Sequence, residues 1–336
     1  MGSSGYDPIR ESGAAAAELD SSRSQARAGG RALTVLATPL NFQILLALTD
    51  RPMRLAGLRK ATGLPAQTTL RGHLSSLCEL GVLARRPTQQ LPYAVEHELT
   101  PMGQELLDVA GRLDLWLSKA PDGPISLEGG AAKGAIRALV DGWGSTMMRA
   151  LAATPLSLTE LDSVIPELSY PALERRLSSM RIAGLVEPTK TSGSGTPYAV
   201  TDWARLGIAP LAAASHCELL HLGPTRAPVT EVDIEAAFLL AAPLVGLPDQ
   251  VAGSCQLEVE PSPGVVLGPA GVQVTIERGK VVSCVSRLEP RPSAFAVGPA
   301  IDWFNAVTRG EADGLRFGGS GQIAEDVVSG LHATFK

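Results

Sequence analysis

The chain has 336 residues, 45% hydrophobic and 19% charged, which is enough apolar material for two or three folded domains and too much for a disordered chain. No apolar stretch nears the roughly 18 residues that cross a bilayer. The first 30 residues hold no continuous apolar run of the secretory kind, and the four cysteines (Cys78, Cys217, Cys255, Cys284) are scattered without a CxxC pair, so a disulfide scaffold and a zinc ribbon are excluded and a cytoplasmic protein is expected. The net charge of −5 is uneven: residues 51–86 carry Arg51, Arg54, Arg59, Lys60, Arg71, Arg85 and Arg86 against Glu79 alone, while residues 228–336 carry thirteen acidic against seven basic side chains. Screening ends a field within about 10 Å, so the local patch rather than the total governs attraction to phosphate.

In chain order, residues 1–30 are rich in Ala, Ser and Gly with mixed charge and no periodicity, and read as a flexible arm. An internal repeat governs the chain from there to the last third. A shift of 103 residues lays Leu40, Ile44, Leu45 and Leu48 on Trp143, Met147, Met148 and Leu151, and Pro52, Leu55 and Leu58 on Pro155, Leu158 and Leu161. It also lays Leu70, Leu74, Ser75, Ser76 and Gly81 on Leu173, Leu177, Ser178, Ser179 and Gly184; after a two-residue insertion Pro92-Tyr93-Ala94-Val95 matches Pro197-Tyr198-Ala199-Val200.

Each copy predicts the same elements. In the first, Leu40, Ile44, Leu45 and Leu48 make one face of a helix over 40–49, ended by Pro52. A short helix over 55–62 leads into a turn at Gly63-Leu64-Pro65. A third helix over 66–80 turns Leu70, Leu74 and Leu77 inward and stops at Gly81. A strand over 82–86 enters a polar hairpin, Tyr93-Ala94-Val95 returns as a second strand, and Thr100-Pro101 supplies an N-cap and a first-turn proline for a last helix. That order is a winged helix-turn-helix.

In such a fold the third helix enters the major groove and the wing tracks phosphate or the minor groove. Its outward residues in the first copy are Gln67, Thr68, Thr69, Arg71 and His73, with Arg85 and Arg86 closing the strand before the wing at 87–91. Gln and Arg bond base edges in pairs, and Thr suits a phosphate or a thymine methyl. The matching face of the second copy offers Tyr170, Arg175 and Arg176, with Lys190 beside a Gly/Ser-rich wing over 192–196, but residues 158–190 hold five acidic against four basic side chains. Two outcomes stay open for it: a second half-site reader, or a surface converted to a ligand or partner. The chain is accordingly a monomeric pseudo-dimer or a homodimer.

These residues carry a family resemblance. Gly81-Val82-Leu83-Ala84-Arg85, then Val95-Glu96-His97-Glu98-Leu99-Thr100-Pro101-Met102-Gly103, then Trp116 resemble the HxlR-type branch of the MarR-like winged-helix regulators over residues 35–118, with His97 where a Tyr is usual. The resemblance implies a transcriptional regulator that binds operator DNA, repression being the commoner outcome. In the second copy Gly184-Leu185-Val186-Glu187 ends in an acid, and Val200-Thr201 keeps a remnant of the last-helix start.

Past Pro224 and Pro228 the character changes. An apolar segment over 236–247 precedes strand-like runs at 256–260, 272–277 and 280–287, with a hairpin turn at Glu277-Arg278-Gly279-Lys280 and helices over 300–308 and 323–335. Residues 300–335 resemble the C-terminal half of sterol-carrier-protein-like domains, which implies a sheet and helices around an apolar tunnel. The expected architecture is α+β: an arm at 1–30, winged-helix domains at 31–120 and 121–225, and a sterol-carrier-like ligand domain at 226–336.

Trp116, Trp143, Trp203, Phe238, Phe295, Trp303 and Phe304 are candidates for the wall of a cavity that takes a hydrophobic small-molecule effector, since flat rings suit flat ligands; core packing accounts for the same residues. His216, Cys217 and His221 have no second ligand pair nearby, so no metal site is assigned. No Ser-His-Asp order, nucleotide-binding glycine loop or HExxH stands in the chain, and neither an enzyme nor a cofactor is expected. The alternative to a ligand-responsive regulator is a winged-helix scaffold that sequesters a small molecule without binding DNA, which the acidic last third favours.

Overall fold

The computed structural model describes residues 27–87, 95–190, 195–224, 228–262, 270–290 and 292–335. Most of the expected arm, the tips of both wings and the Tyr93-Ala94 pair lie outside the described residues. The end of the arm is packed: Ala28 is buried, Arg27 donates to Asp233 Oδ1 at 3.0 Å, and helix α1 (Gly30–Leu36) comes directly after.

The first unit continues with α2 (Pro39–Ala47), β1 (Met53–Arg54), α3 (Leu55–Ala61), α4 (Gln67–Glu79), β2 (Leu83–Pro87), β3 (Val95–Leu99) and α5 (Pro101–Leu117). Leu70, Leu74 and Leu77 recur at helical spacing and are the buried residues of α4. Gly81, at φ 76°, ends that helix as only glycine does without strain: its N–H donates to Cys78 O at 3.0 Å and the Val82 N–H to Leu77 O at 2.9 Å. The Thr100 side chain accepts from the Gly103 N–H at 3.1 Å and starts α5, with Pro101 in the first turn. Its hydroxyl points back to Gly81 O at 2.6 Å, so one side chain ties the start of the last helix to the turn after α4. The sheet order is β1-β3-β2, with Met53 opposite His97 and His97 opposite Arg85.

Next come α6 (Gly130–Gly144), α7 (Met147–Ala153), α8 (Leu158–Val164), α9 (Tyr170–Ile182), β4 (Val186–Pro188), β5 (Tyr198–Val200), α10 (Asp202–Leu206) and α11 (Ile208–Leu222). α8 and α9 lie 103 residues after α3 and α4 at both ends. The helix stop recurs in Gly184 at φ 75°, with the Gly184 N–H on Arg181 O and the Leu185 N–H on Met180 O. Thr201 does at α10 what Thr100 does at α5: it accepts from the Ala204 N–H at 3.1 Å and donates to Gly184 O at 2.9 Å.

One alignment is corrected. Pro92-Tyr93-Ala94-Val95 is not the counterpart of Pro197-Tyr198-Ala199-Val200. Leu83 pairs with Leu99 and Val186 with Val200, and the Met53–His97 pairing has its parallel in the Leu156–Tyr198 bridge. Tyr198 therefore stands where His97 does, and the second hairpin is shorter by two residues rather than longer. Cross-strand register, fixed by the hydrogen-bond ladder, overrides a four-residue identity.

The last unit holds α12 (Glu231–Ala241), a 3₁₀ turn (Ala242–Leu244), β6 (Gly253–Glu260), β7 (Ala270–Glu277), β8 (Lys280–Val285), β9 (Ala294–Pro299), α13 (Ala300–Arg309), β10 (Arg316–Gly319) and α14 (Gly321–Phe335). The apolar segment expected near 236 is a buried helix, started by a reciprocal Thr230–Asp233 capping box. The five-stranded sheet runs β10-β9-β6-β7-β8, with β6 and β9 parallel and the other pairs antiparallel. Trp303 and Phe238 meet edge to face with ring centres 4.7 Å apart between the helices that cover it.

The units are tightly joined. Trp116 and Trp203 stack with ring centres 4.5 Å apart and 4° between planes, and each indole N–H donates to the other residue's carbonyl at 2.8 Å. Arg149 of α7 grips Glu235 of α12 at 2.7 and 2.9 Å. Arg205 of α10 donates to Leu239 O at 2.7 Å.

Candidate nucleic-acid interface

The face made by α4 and the β2 end of the sheet brings most of the predicted DNA contacts together. Gln67, Thr68, Thr69 and Arg71 are exposed along the first turns of α4, while Arg85 and Arg86 are exposed at the end of β2. Arg71 and Arg85 have no carboxylate partner among the described residues, whereas Arg86 shares Glu98 at 3.5 Å and Arg54 shares Glu96 at 3.4 Å. At such separations exposed pairs hold cations weakly, so phosphates compete for them.

His73 is a correction. It is half-buried, and its Nδ1 lies 2.7 Å from Asn41 Oδ1, so it braces α4 against α2 instead of facing outward. Its counterpart Arg176 is a second correction: it is 7% exposed and lines a pocket with Ser145, Arg149, Glu167 and Val232 instead of standing on an outer face. Both positions fall on the third side of the helix, where a 100° step turns a side chain from solvent toward the neighbouring helix. Tyr170, Arg175 and Lys190 are exposed.

The two units differ sharply in charge at matching positions. Arg51, Arg54, Arg59, Lys60, Arg71, Arg85 and Arg86 correspond to Thr154, Ser157, Asp162, Ser163, Glu174, Pro188 and Thr189. None of the first unit's seven cations recurs at its matching position, although the second unit has exposed Arg175 and Lys190 of its own.

The aromatic candidates divide. Trp116 and Trp203 are consumed in their mutual stack, and Phe238 and Trp303 in the last core. Phe295 is half-buried against the strand at Gly318. Trp143 and Phe304 line a small apolar cavity, about 30 Å³, at the junction of the units with Leu211, Ile234 and Phe335. The Trp143 Nε1 is buried without a hydrogen-bond partner.

Burial pushes the Cys217 thiol up to about 12, and His216 and His221 both turn to Glu105, at 3.7 and 3.1 Å. No group of three or more His, Cys, Asp or Glu among the described residues is placed to hold a metal ion, and no helix there is long and apolar enough to cross a membrane.

The geometry of the first unit is that of a winged helix whose α4 is exposed along its first turns, with Arg71 on it and Arg85 and Arg86 exposed at the end of β2. Residues 36–122 match the HxlR-like helix-turn-helix family, about a quarter of the chain. That family is one of transcription regulators, and the match supports an HxlR-type helix-turn-helix regulator. No curated protein matches the chain.

Proposed function

We propose that the chain is a DNA-binding transcriptional regulator whose first unit reads duplex DNA, with α4 in the major groove and the β2–β3 wing on the backbone. The observation that carries this is the charge asymmetry: the HxlR-like unit has seven cations over residues 51–86, with Arg71, Arg85 and Arg86 exposed on α4 and β2, and none of the seven recurs at its matching position in the second. Phosphate attraction acts locally, so the acidic last third does not cancel it. The second unit is a degenerate winged helix that serves as the first one's covalent partner, and Trp116–Trp203 belongs to the joint between them. The chain is then a repressor released by an apolar or aromatic small molecule held in the sterol-carrier-like unit or at its junction. The junction cavity walled by Trp143 and Phe304 is only about 30 Å³, so the effector's place rests on the resemblance of the last unit to sterol-carrier-like domains.

The test is a gel shift on duplexes selected from a random-sequence library, repeated at several salt concentrations. A face that engages six or more phosphates loses about a thousandfold in affinity between 50 and 200 mM salt. The second reading, a small-molecule carrier that does not bind DNA, draws on the net charge of −5. It predicts no shift even at low salt.

A further inference from the structure

Between the second unit and the last lies a cleft of about 410 Å³, within the range that small-molecule sites occupy. It falls outside the residues that match the family. Its walls come from the turn between α6 and α7, the segment joining α8 to α9, and the first turn of α12.

The 103-residue correspondence shows what leaves it open. In the first unit Asn41 and His73 bridge this place, 2.7 Å apart. Their counterparts are Gly144, which has no side chain, and Arg176, which lines the cleft. The backbone differs with them. Phe42 and Gln43 are helical in α2, whereas their counterparts Ser145 and Thr146 make the reversal between α6 and α7. Thr146 holds φ 61° there, a conformation that β-branched residues rarely adopt and that recurs at ligand sites.

The cleft presents both signs of charge. Arg27 and Arg149 line it, with 23% and 37% of their side chains exposed. Each also reaches an α12 carboxylate: Arg27 Nη1 bonds Asp233, and Arg149 Nε and Nη2 bond Glu235. A guanidinium carries five N–H donors in a fixed fork, so both keep donors for a third party. Glu167 lines the cleft from the α8–α9 segment and is exposed. Val164, Leu168 and Val232 add apolar wall that solvent reaches. With Asp233 and Glu235 counted, Arg27, Arg149 and Arg176 meet as many carboxylates as they bring charges. A simple anion or cation gains little from such a balance, while a molecule carrying both charges satisfies both walls.

We propose that this cleft binds a free amino acid with an apolar side chain. Its carboxylate is held by Arg27 and Arg149, its ammonium by Glu167, and its side chain by Val164, Leu168 and Val232. The bound molecule bridges the second unit to α12 and reinforces the joint made by Arg149 and Glu235. The inference goes beyond the DNA-binding function proposed above and does not rest on it.

The experiment is calorimetric titration of the full chain with L-leucine and with three relatives that each lack one feature. These are 4-methylpentanoate without the ammonium, 3-methylbutylamine without the carboxylate, and glycine without the side chain. Saturable one-to-one binding of leucine is expected. The amine should bind about tenfold more weakly, 4-methylpentanoate severalfold more weakly, and glycine about tenfold or more. Glu167→Gln should weaken leucine severalfold and leave 4-methylpentanoate unchanged. Gly144→Asn with Arg176→His restores the first unit's bridging pair and should abolish leucine binding. Because Arg176 is buried, the melting curve of that variant is checked first; exposed Glu167 decides the matter if it unfolds. No saturable leucine binding, equal binding of 4-methylpentanoate, or an unchanged leucine affinity in Glu167→Gln overturns the site. Leucine binding in a chain that never shifts DNA leaves the site standing and defeats the DNA-binding function alone.

Discussion

Arg71 and Arg85, on α4 and β2, have no carboxylate partner among the described residues, unlike Arg54 and Arg86, and this sets their expected weight in the proposed DNA face. Replacing both by Ala should weaken duplex binding by about 1–3 kcal/mol and flatten its salt dependence by nearly two phosphate contacts. Arg175→Ala with Lys190→Ala, on the second unit, should change neither in the same titration. Glu218 shows the opposite use of charge. It is 1% exposed, accepts from the Ala32 N–H at 2.7 Å, and is held above the usual carboxylate range by burial. A carboxyl whose pKa is raised by folding adds stability below its unfolded value and loses it as pH climbs through the folded value. Thermal melts should therefore show the wild type losing ground to Glu218→Gln as pH rises from about 4.5 to 8. A constant difference between the two across that range contradicts the assignment.

Elements record where the sequence was legible. Helices α3, α4, α5 and α13 carry their own signals: apolar spacing, Gly81 at a stop, Thr100-Pro101 at a start. Strands β9 and β10 do not announce themselves, because Ala294–Pro299 and Arg316–Gly319 are short, glycine-bearing and set by pairing with residues far along the chain. The same blindness displaced Tyr198, whose place opposite Leu156 is decided by the ladder and not by resemblance to Tyr93. At the candidate site the exposed α4 residues were readable from helical spacing. The inward turn of His73 and Arg176 was not, since it depends on which neighbouring helix packs on that side. Nor was the orphan His97 nitrogen, buried without a hydrogen-bond partner, which appeared in the sequence only as a departure from Tyr. The Trp116–Trp203 pair is likewise a tertiary fact. Trp116→Ala and Trp203→Ala should each cost about 3–5 kcal/mol of stability. The double variant should cost less than their sum, with a coupling of about 0.5–3 kcal/mol in a double-mutant cycle by denaturant unfolding. Strict additivity would mean that the joint carries no shared energy.

At the scale of the whole molecule, α5 and α11 pack on one another within a single chain, and Arg149–Glu235 and Arg205–Leu239 bind the last unit to the second. A joint already made inside the chain leaves no need for a second copy to make it. Sedimentation equilibrium should therefore give a single species of 35.0 kDa, bound one to one to a short duplex; a dimer mass would show that the matching surfaces are still open between copies. On the proposed function, exposed Arg71, Arg85 and Arg86 in the first unit and thirteen acidic side chains in the last third would orient the molecule on a polyanion as well as attract it.

The division of labour between the two units is tested most directly by position-specific crosslinking. Gln67 and Tyr170 open the corresponding helices, α4 and α9, 103 residues apart. A photoreactive residue placed at one or the other and irradiated with bound duplex should crosslink from position 67 and not from 170. Equal yields from both, or a yield from 170 alone, would contradict the account.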